Sequence, residues 1–400
     1  MGYKYHTVKA QAITEHFRGI MGNPGNTSWH FDCHLLYQGL PKANEDITLP
    51  FTENEALQAI KAMNRSSAPG PDGFGPGFYN ATWPTVKVSV MQFLNAFHEG
   101  NVQLERINRS YIVLIPKKTD ATTVDAYRPI CLQNCSVKIL SKLLTTRLQL
   151  QIHNLVDLDQ TGFIRGRSIT ENFVYAMELV QCSHKRRVPT LVIKLDFAKA
   201  FDTVNWDALD TILQARGFND VWRRWMQQIL QSSHTAILVN GCPGPWMDCR
   251  RGLRQGDPIS PYLFILVADV LQVLIRKSGT IRHPMVDNTS CLVLQYADDT
   301  LILVRGELTD VQSLRVILDH SANAIGLQIN YAKSTAVPMF MDESTIEGCI
   351  SALGSRREGF PQTYLGLPLS NTKLRLSAFA PNIAKCDKDG SCYRLVFINR

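Results

Sequence analysis

The amino-acid sequence predicts an α+β fold in which strands and helices are interspersed along the chain. Short apolar runs of strand length, such as residues 190–195 and 291–296, are separated by longer stretches with helical periodicity, such as residues 260–278. Apolar residues make up 45% of the 400 residues and charged residues 19%, so the chain can bury a large core. The length is that of two to three domains.

Residues 1–79 are predicted to form a connector, one helix and a loop. Residues 1–50 resemble a connector, because breaker residues occur at 23–26 and 39–41 and strong periodicity is missing. A helix is predicted after Thr52, where Glu55 completes a capping-box pattern. Residues 66–79 contain four glycines and three prolines, which predicts a loop.

The next segment is basic. Residues 111–116 predict a strand, and residues 135–156 predict an amphipathic helix that carries Lys138, Lys142 and Arg147. Residues 101–150 hold eight Lys and Arg against three Asp and Glu, and this supplies most of the formal net charge of +7. Such a stretch permits contact with an anionic partner, although a solvated face is the ordinary interpretation.

The second half contains the clearest elements. An apolar strand is predicted to end at Asp196, and Asn205 and Gly217 are predicted to begin and end a helix. A second long helix is predicted to begin with Ser260 as its N-cap and to end at Gly279. The remaining predicted elements are a helix at 221–231, a hairpin of 236–239 and 245–249 across 240–241, a hairpin of 291–296 and 300–304, a helix at 309–325 closed by Gly326, and a strand at 365–369.

Several protein classes are excluded by the sequence. No apolar run reaches the roughly 18 residues of a membrane span, and the first residues lack the apolar centre of a signal peptide. The ten cysteines form no C-x-x-C pair and no zinc-finger spacing, so free or buried thiols are predicted.

Three aspartates form the most informative pattern. Asp196 ends a predicted buried strand, and Asp298 and Asp299 lie at the tip of a predicted hairpin. If these strands are neighbours, the carboxylates converge at one end of a sheet, where their oxygens would suit Mg²⁺ and phosphoryl transfer. Ordinary turn chemistry is the alternative interpretation, and spacing alone does not decide between the two.

Several motifs, taken in order, resemble those of reverse transcriptases. These motifs are KLDFAKAFDTVNW at 194–206, GLRQGDPISPYLF at 252–264, YADDTLIL at 296–303 and GLQINYAKS at 326–334. The segments PGPDGF, VLIPKK, YRPICL, QTGFIRGRS and YLGLPL are similar to the LINE (non-LTR retrotransposon) branch, of the sort abundant in plant genomes. The resemblance covers residues 51–374.

This resemblance implies a right-hand polymerase with fingers and palm. Residues 51–190 would form a fingers-like region with the start of the palm, and residues 191–370 the palm. Residues 371–400 would be a truncated thumb or atypical tail, so the thumb is expected to be largely missing and primer–template binding weak. The endonuclease and RNase H of such elements are not expected on this chain.

The resemblance also assigns roles to individual residues. Asp196, Asp298 and Asp299 would hold two Mg²⁺ ions, or Mn²⁺, and Lys333 would protonate the leaving pyrophosphate. Tyr364, Leu365 and Gly366 would form the primer grip. The nucleotide-binding set would be Lys117, Lys118, Arg128, Phe197, Phe201, Gln255 and Gly256.

Three positions carry alternatives, and for Lys333 the competing interpretation is a solvated surface lysine. Phe201 would exclude a ribose 2′-OH and so select dNTPs, but simple core packing is the competing interpretation. Asp202 belongs to the same motif, and a helix-capping role is the favoured interpretation for it.

The expected function is therefore RNA-directed DNA polymerase activity with an RNA template, a DNA primer and dNTPs. A catalytically inactive retrotransposon remnant that binds RNA weakly is the alternative. A metal-dependent nuclease that uses the same carboxylates is disfavoured by the matches at Phe201, Gln255 and Gly256.

Overall fold

A computed structural model describes residues 2–117 and 119–389, with side chains for residues 8–117 and 119–384. The described residues form fifteen α-helices and thirteen strands, in the mixed order that the sequence predicts. The helices are α1 (Gly2–Met21), α2 (Cys33–Leu36), α3 (Glu53–Lys61), α4 (Pro76–Ala81), α5 (Trp83–His98), α6 (Cys135–Gln149), α7 (Ile152–Leu155), α8 (Ile169–Lys185), α9 (Ala200–Thr203), α10 (Trp206–Ala215), α11 (Asp220–Gln231), α12 (Ser260–Ser278), α13 (Leu308–Ile325), α14 (Glu343–Leu353) and α15 (Ala380–Asp389). The strands are β1 (Arg109–Pro116), β2 (Tyr127–Gln133), β3 (Thr190–Leu195), β4 (Phe197–Ala198), β5 (His234–Val239), β6 (Cys242–Asp248), β7 (Leu292–Tyr296), β8 (Asp299–Arg305), β9 (Gln328–Ile329), β10 (Thr335–Met339), β11 (Arg356–Arg357), β12 (Gln362–Tyr364) and β13 (Leu367–Leu369).

A five-stranded sheet with the order β11-β10-β3-β8-β7 lies at the centre of the second half of the chain. Strand β3 lies between β10 and β8 and is antiparallel to both. Leu191, Ile193 and Leu195 pack against helices α12, α13 and α14, whereas Val192 packs against α8 and the β12–β13 hairpin. Because β3 is covered on both faces, its sequence is a nearly continuous apolar run rather than an alternating one.

A four-stranded sheet with the order β2-β1-β5-β6 forms a second layer. Strand β1 is antiparallel to β2 and parallel to β5. Helix α1 covers one face of this sheet, with Ile13, Phe17 and Met21 packed in a cluster that includes Ile112 and Ile237.

Helix α1 corrects the expectation that residues 1–50 are an irregular connector. Its most buried apolar residues, Ile13, Phe17 and Met21, are four positions apart and form one narrow row. A row this narrow gives a weak periodic signal, since a helix on a core normally shows a wider apolar stripe.

Three other elements differ from the sequence prediction. Helix α4 begins inside the predicted loop at Pro76, which suits the first helical turn. The predicted helix at 135–156 is divided into α6 and α7. The predicted strand at 365–369 is half of a hairpin, since Leu365 and Gly366 form its turn with φ of 49° and 80°.

The predicted N-cap at Ser260 is also wrong, because Ser260 is already helical and Ile259 precedes it. The amide of Ile259 donates instead to the Asp257 carboxylate at 3.2 Å. By contrast, the Thr52 and Glu55 capping box and the Asn205 cap are confirmed. The hairpin across Asn240 and Gly241 is confirmed as well.

Arg147 does not contribute to a basic surface on α6. Its side chain is buried, forms an ion pair with Glu55 at 2.9 Å, and donates to the carbonyls of Ile47, Leu49 and Pro50. Arg147 therefore clamps the segment before α3 onto α6, and the basic character of residues 101–150 rests on the other cations.

Two class predictions can also be compared with the described residues. None of their helices combines the length and apolar character required to span a membrane. The eight cysteines whose side chains are described are all unbonded thiols, as predicted.

Candidate active site

The register of the five-stranded sheet places all three aspartates at the same end of it. Leu195, the last residue of β3, pairs with Thr300 of β8, and Asp196 follows directly. Asp299 pairs with Tyr296 to close the β7–β8 hairpin, whose turn contains Asp298. The predicted convergence of a strand end and a hairpin tip is therefore found.

The turn that carries Asp298 is held from below by residues 160–162. Ala297 has a φ of 55°, which is uncommon for a residue with a side chain, and its amide donates to Gln160 Oε1 at 2.9 Å. A Cβ on Gly162 would lie 2.5 Å from the Ala297 nitrogen, so only glycine permits this approach. Residues 160–162, within the QTGF sequence at 160–163, thus determine the conformation of the turn that carries Asp298.

The backbone of Asp196 is held by the loop after β9. Asn330 N donates to the Asp196 carbonyl at 2.7 Å, and Asp196 N donates to Ser334 Oγ at 3.1 Å. The pairing of Phe197 with Ile329 continues this contact. These hydrogen bonds hold the Asp196 backbone at both its amide and its carbonyl, and so they fix the point from which the carboxylate extends.

The three aspartates open into one cavity of about 680 Å³. Most residues of the expected nucleotide-binding set line it as well, although they come from segments far apart in the sequence. The predicted site residues in the wall are Lys117, Arg128, Asp196, Phe197, Phe201, Gln255, Gly256, Asp298 and Asp299.

The electrostatics of this cavity favour a cation beside the carboxylates. Loss of water raises the pKa of Asp298, and the charges of Asp299 and Asp196 raise it further, while Arg128 opposes this. The pKa of Asp299 is raised as well, chiefly by loss of water, with Lys194 opposing. A bound divalent cation would relieve this repulsion between like charges.

The donor set fits Mg²⁺, which takes carboxylate oxygens. Among the described side chains, those of residues 8–117 and 119–384, no other residue donates a hydrogen bond to any of the three carboxylates, although the Asp298 amide donates to its own carboxylate. As placed, however, the His, Cys, Asp and Glu side chains of the described chain form no preassembled group of three with metal-site spacing. That the three aspartates share metal ions therefore stays a prediction.

Phe201 has one face in the core and one in the cavity. Its ring stacks on the buried Phe264 at a centroid distance of 4.4 Å, and the residue also lines the cavity wall. The position is compatible with both the sugar-selecting role and the packing role.

Asp202 does not cap a helix, which corrects the favoured interpretation. It lies within α9, is 5% exposed, and accepts a hydrogen bond from Gln255 Nε2 at 3.1 Å. Burial raises the pKa of Asp202 to about 6, with the Gln255 bond and the charges of Lys199 and Lys117 opposing. Asp202 thus positions Gln255 in the cavity wall.

The loop that carries Gln255 and Gly256 lies against β2 of the four-stranded sheet. The Gln255 carbonyl accepts from Cys131 N of β2 at 2.8 Å. Gly256 has a φ of 108°, and a Cβ there would lie 3.0 Å from the Cys131 carbonyl. Glycine is therefore required where this loop passes β2.

The cations of the expected nucleotide-binding set that lie in or beside the four-stranded sheet differ in their contacts. Arg128 is exposed, and within the described part of the chain its side chain has no hydrogen bond or ion pair. Lys117 Nζ donates to the Asp125 carbonyl at 3.0 Å. Lys118 lies outside the described residues.

Lys333 and the expected primer grip lie outside the cavity wall. Lys333 is exposed on the loop that contacts Asp196. Tyr364 is fully buried, and Gly366 is exposed at the hairpin tip, where its carbonyl accepts from Asn382 at 2.6 Å. Leu365 and Gly366, rather than the Tyr364 side chain, are thus accessible.

Sequence reasoning missed a cluster of interacting polar residues in the cavity wall, formed by His16, Asp125 and Lys199. Lys199 Nζ forms an ion pair with Asp125 at 2.7 Å and lies 3.2 Å from His16 Nε2. The three positions are 74 or more residues apart, and of the three Lys199 alone falls inside a recognised motif, KLDFAKAFD. For Lys199 that position was the available signal, and for the other two no local pattern exists.

Comparison with known proteins supports the resemblance. Residues 115–369 match the family model described as reverse transcriptase (RNA-dependent DNA polymerase). The Transposon TX1 uncharacterized 149 kDa protein of Xenopus laevis is 28% identical over 313 residues, which are 76% of this chain and 24% of that protein. The Pol polyprotein from the type-2 retrotransposable element R2DM of Drosophila melanogaster is 26% identical over 331 residues, which are 82% of this chain and 30% of that protein.

A shorter match adds a plant relative. The uncharacterized mitochondrial protein AtMg01250 of Arabidopsis thaliana is 46% identical over 69 residues, which are 16% of this chain and 57% of that protein. The chain thus spans about a quarter to a third of the first two relatives. Since the family model covers more than half of the chain and the relatives include named retrotransposon Pol proteins, the chain belongs to the reverse transcriptase (RNA-dependent DNA polymerase) family, in its LINE-type, non-LTR branch.

Proposed function

We propose that this chain is the RNA-directed DNA polymerase domain of a LINE-type retrotransposon. It would add dNMPs to a primer 3′-OH on an RNA template, with the five-stranded sheet as palm and the four-stranded sheet as part of the fingers. The observation that carries this proposal is the cavity in which Asp196, Asp298 and Asp299 face Arg128 and Lys117. Carboxylates opposite cations are what a metal-bound polyphosphate requires.

Each part of the cavity would then have a task. Asp196, Asp298 and Asp299 would hold Mg²⁺, which when bound activates the attacking oxygen and stabilises the leaving one. Arg128 is unpaired in the described chain, so its guanidinium can bind two phosphate oxygens at once without first losing a partner. Phe201 would contact the sugar, and Gln255, which is held by Asp202, would line the position of the base pair.

Lys333 and the β12–β13 hairpin would act at the margin of this cavity. Lys194 Nζ donates to the Thr363 carbonyl at 2.7 Å, which ties the hairpin to β3 just before Asp196. The exposed backbone at Leu365 and Gly366 could therefore contact a primer close to the carboxylates. Lys333 is exposed on the loop that holds the Asp196 backbone, and from there it would protonate the leaving pyrophosphate.

The test is primer extension on an RNA template with Mg²⁺, comparing the wild-type chain with Asp196→Asn and Asp298→Asn. We expect the wild type to extend the primer and each variant to lose at least about 10²-fold in kcat, because a carboxylate that would hold Mg²⁺ is lost. Asp207→Asn is the matched control, since Asp207 is exposed on α10 and outside the cavity wall.

The outcome separates the proposal from the inactive alternative. Extension by the wild type that is lost in both variants and kept in the control supports a polymerase. RNA binding without extension in any protein would mark a non-catalytic chain, and cleavage of the template without synthesis would mark a nuclease.

A further inference from the structure

Asp125 lies between two lysines of the cavity wall, Lys117 and Lys199, and also contacts His16. Its carboxylate contacts Lys199 Nζ at 2.7 Å and His16 Nε2 at 3.4 Å, and its carbonyl accepts from Lys117 Nζ at 3.0 Å. One residue therefore engages both of the lysines in the described cavity wall. The hydrogen bond from Lys199 is the main cause that lowers the pKa of Asp125, so its carboxylate is ionised at neutral pH.

These contacts join three separate segments. Asp125 lies in a short turn between β1 and β2, Lys199 precedes α9, and His16 belongs to α1. Lys199 has a φ of 51°, and it lies three residues after Asp196 in the same wall. Lys199 therefore belongs to the same segment as the Asp196 carboxylate, while Asp125 comes from the β1–β2 connection of the four-stranded sheet.

The Lys199 and Asp125 pair is weak enough to be exchanged. The side chains are 32% and 63% exposed, and exposed ion pairs contribute little because water and salt screen them. A triphosphate carries more negative charge than one carboxylate, and its oxygens accept from an ammonium group in the same way. A triphosphate in the cavity would therefore compete successfully for Lys199.

We infer that Lys199 is a further binding residue for the substrate triphosphate, and that Asp125 occupies it until the triphosphate displaces the carboxylate. This inference rests on the proposed function. It predicts that the turn with Asp125 moves away from Lys199 when the nucleotide binds, which also releases Lys117. His16, whose pKa is lowered by burial and then by Lys199, stays neutral and can accept from Lys199 in either state.

A double-mutant cycle tests the inference through the KM for dNTP in primer extension. Asp125→Asn should lower KM, by about fivefold at most, because an exposed pair of this kind contributes little. Lys199→Met should raise KM by about tenfold, because a charge-assisted bond to phosphate is lost. The double variant should behave like Lys199→Met, since Asp125 acts through Lys199.

Asp120→Asn is the matched control, because Asp120 is exposed in the same β1–β2 connection but lies outside the cavity wall. It should leave KM unchanged, which excludes a general effect of net charge. The inference is overturned if Asp125→Asn leaves KM unchanged, or if it lowers KM equally when Lys199 is replaced.

A second measurement keeps the inference separate from the proposed function. Calorimetric titration of the same proteins with inorganic tripolyphosphate should show tighter binding to Asp125→Asn than to the wild type, and weaker binding to Lys199→Met. If the wild type does not extend a primer, the proposed function fails, and this titration still decides the role of Lys199. Equal binding by the wild type, Asp125→Asn, Lys199→Met and the double variant would overturn the inference.

Discussion

At the residue scale, Phe201 performs two tasks that one substitution can separate. Its ring stacks on Phe264, which is 1% exposed, and it also lines the cavity. Phe201→Ala should admit rNTPs in primer extension while dNTP use is largely kept, because the ring no longer occupies the space of a 2′-OH. The measurement is the ratio of kcat/KM for dNTP and rNTP.

The stability of the same variant provides the comparison. Loss of the stacked ring should lower the free energy of unfolding by about 3 kcal/mol at most, since the side chain is only partly buried. A destabilised variant with unchanged discrimination between dNTP and rNTP would assign Phe201 to the core alone.

Asp202 leads to a prediction about pH. Its folded-state pKa is raised to about 6, above its ordinary value of 3.8, because burial disfavours the charged form. Its contribution to stability is therefore fully present below about pH 4 and is lost as pH rises through about 6. Asp202→Asn removes the charge but keeps an oxygen for Gln255.

We expect Asp202→Asn to be more stable than the wild type at pH 7, by on the order of 1–3 kcal/mol, and equally stable at pH 4. Denaturant unfolding at several pH values measures this difference. A variant that is less stable at pH 7 would show that the ionised carboxylate is favourable in the fold.

At the element scale, the β7–β8 hairpin depends on a segment that precedes it by more than 130 residues. Gly162→Ala would bring a Cβ within 2.5 Å of the Ala297 nitrogen, so the turn that carries Asp298 must move. A displacement of about 1 Å at a catalytic group can cost 10²-fold. We therefore expect kcat in primer extension to fall by about that factor.

Gly359→Ala is the control for this element, because a Cβ there meets no atom within 4 Å and its φ is not positive. It should keep the kcat of the wild type. If Gly162→Ala lowers the melting temperature but not kcat, residues 160–162 support the fold without positioning Asp298.

The elements also show which features the sequence reveals. Strand β3 was predicted correctly because burial on both faces leaves an uninterrupted apolar run, and α3 because Thr52 and Glu55 form a local capping pattern. The convergence of Asp196 with Asp298 needed the β3–β8 pairing, which residue spacing left open and the family resemblance implied. These features are either local in the chain or carried by family motifs.

The features that were missed depend on contacts between distant segments. Gln160 acts on Ala297 across 137 residues, and Asp125 contacts Lys199 through the folding of the two sheets. Ser260 satisfies every local rule for an N-cap, yet the Ile259 amide donates to Asp257, whose carboxylate also accepts from Ser141 of the distant helix α6. In each case the partner is set by tertiary packing, which residue spacing does not encode.

At the scale of the whole molecule, helix α1 is joined to the candidate active site although it precedes the family match by more than 90 residues. Phe17 is 3% exposed and packs with Ile112 and Ile237, and it also lines the cavity beside His16. The position of α1 therefore affects both the packing of the four-stranded sheet and the position of His16, which contacts Lys199.

Phe17→Ala should lower the free energy of unfolding by about 3 kcal/mol, as expected for a buried aromatic ring. It should also raise the KM for dNTP several-fold, because the helix that carries His16 loses its anchor. Leu353→Ala is the control: Leu353 is 1% exposed and packs in α14 against the far side of the five-stranded sheet. Both variants should lower the melting temperature, but the control should keep the KM of the wild type when assayed well below it. An equal KM in the two variants would show that α1 stabilises the fold without shaping the nucleotide site.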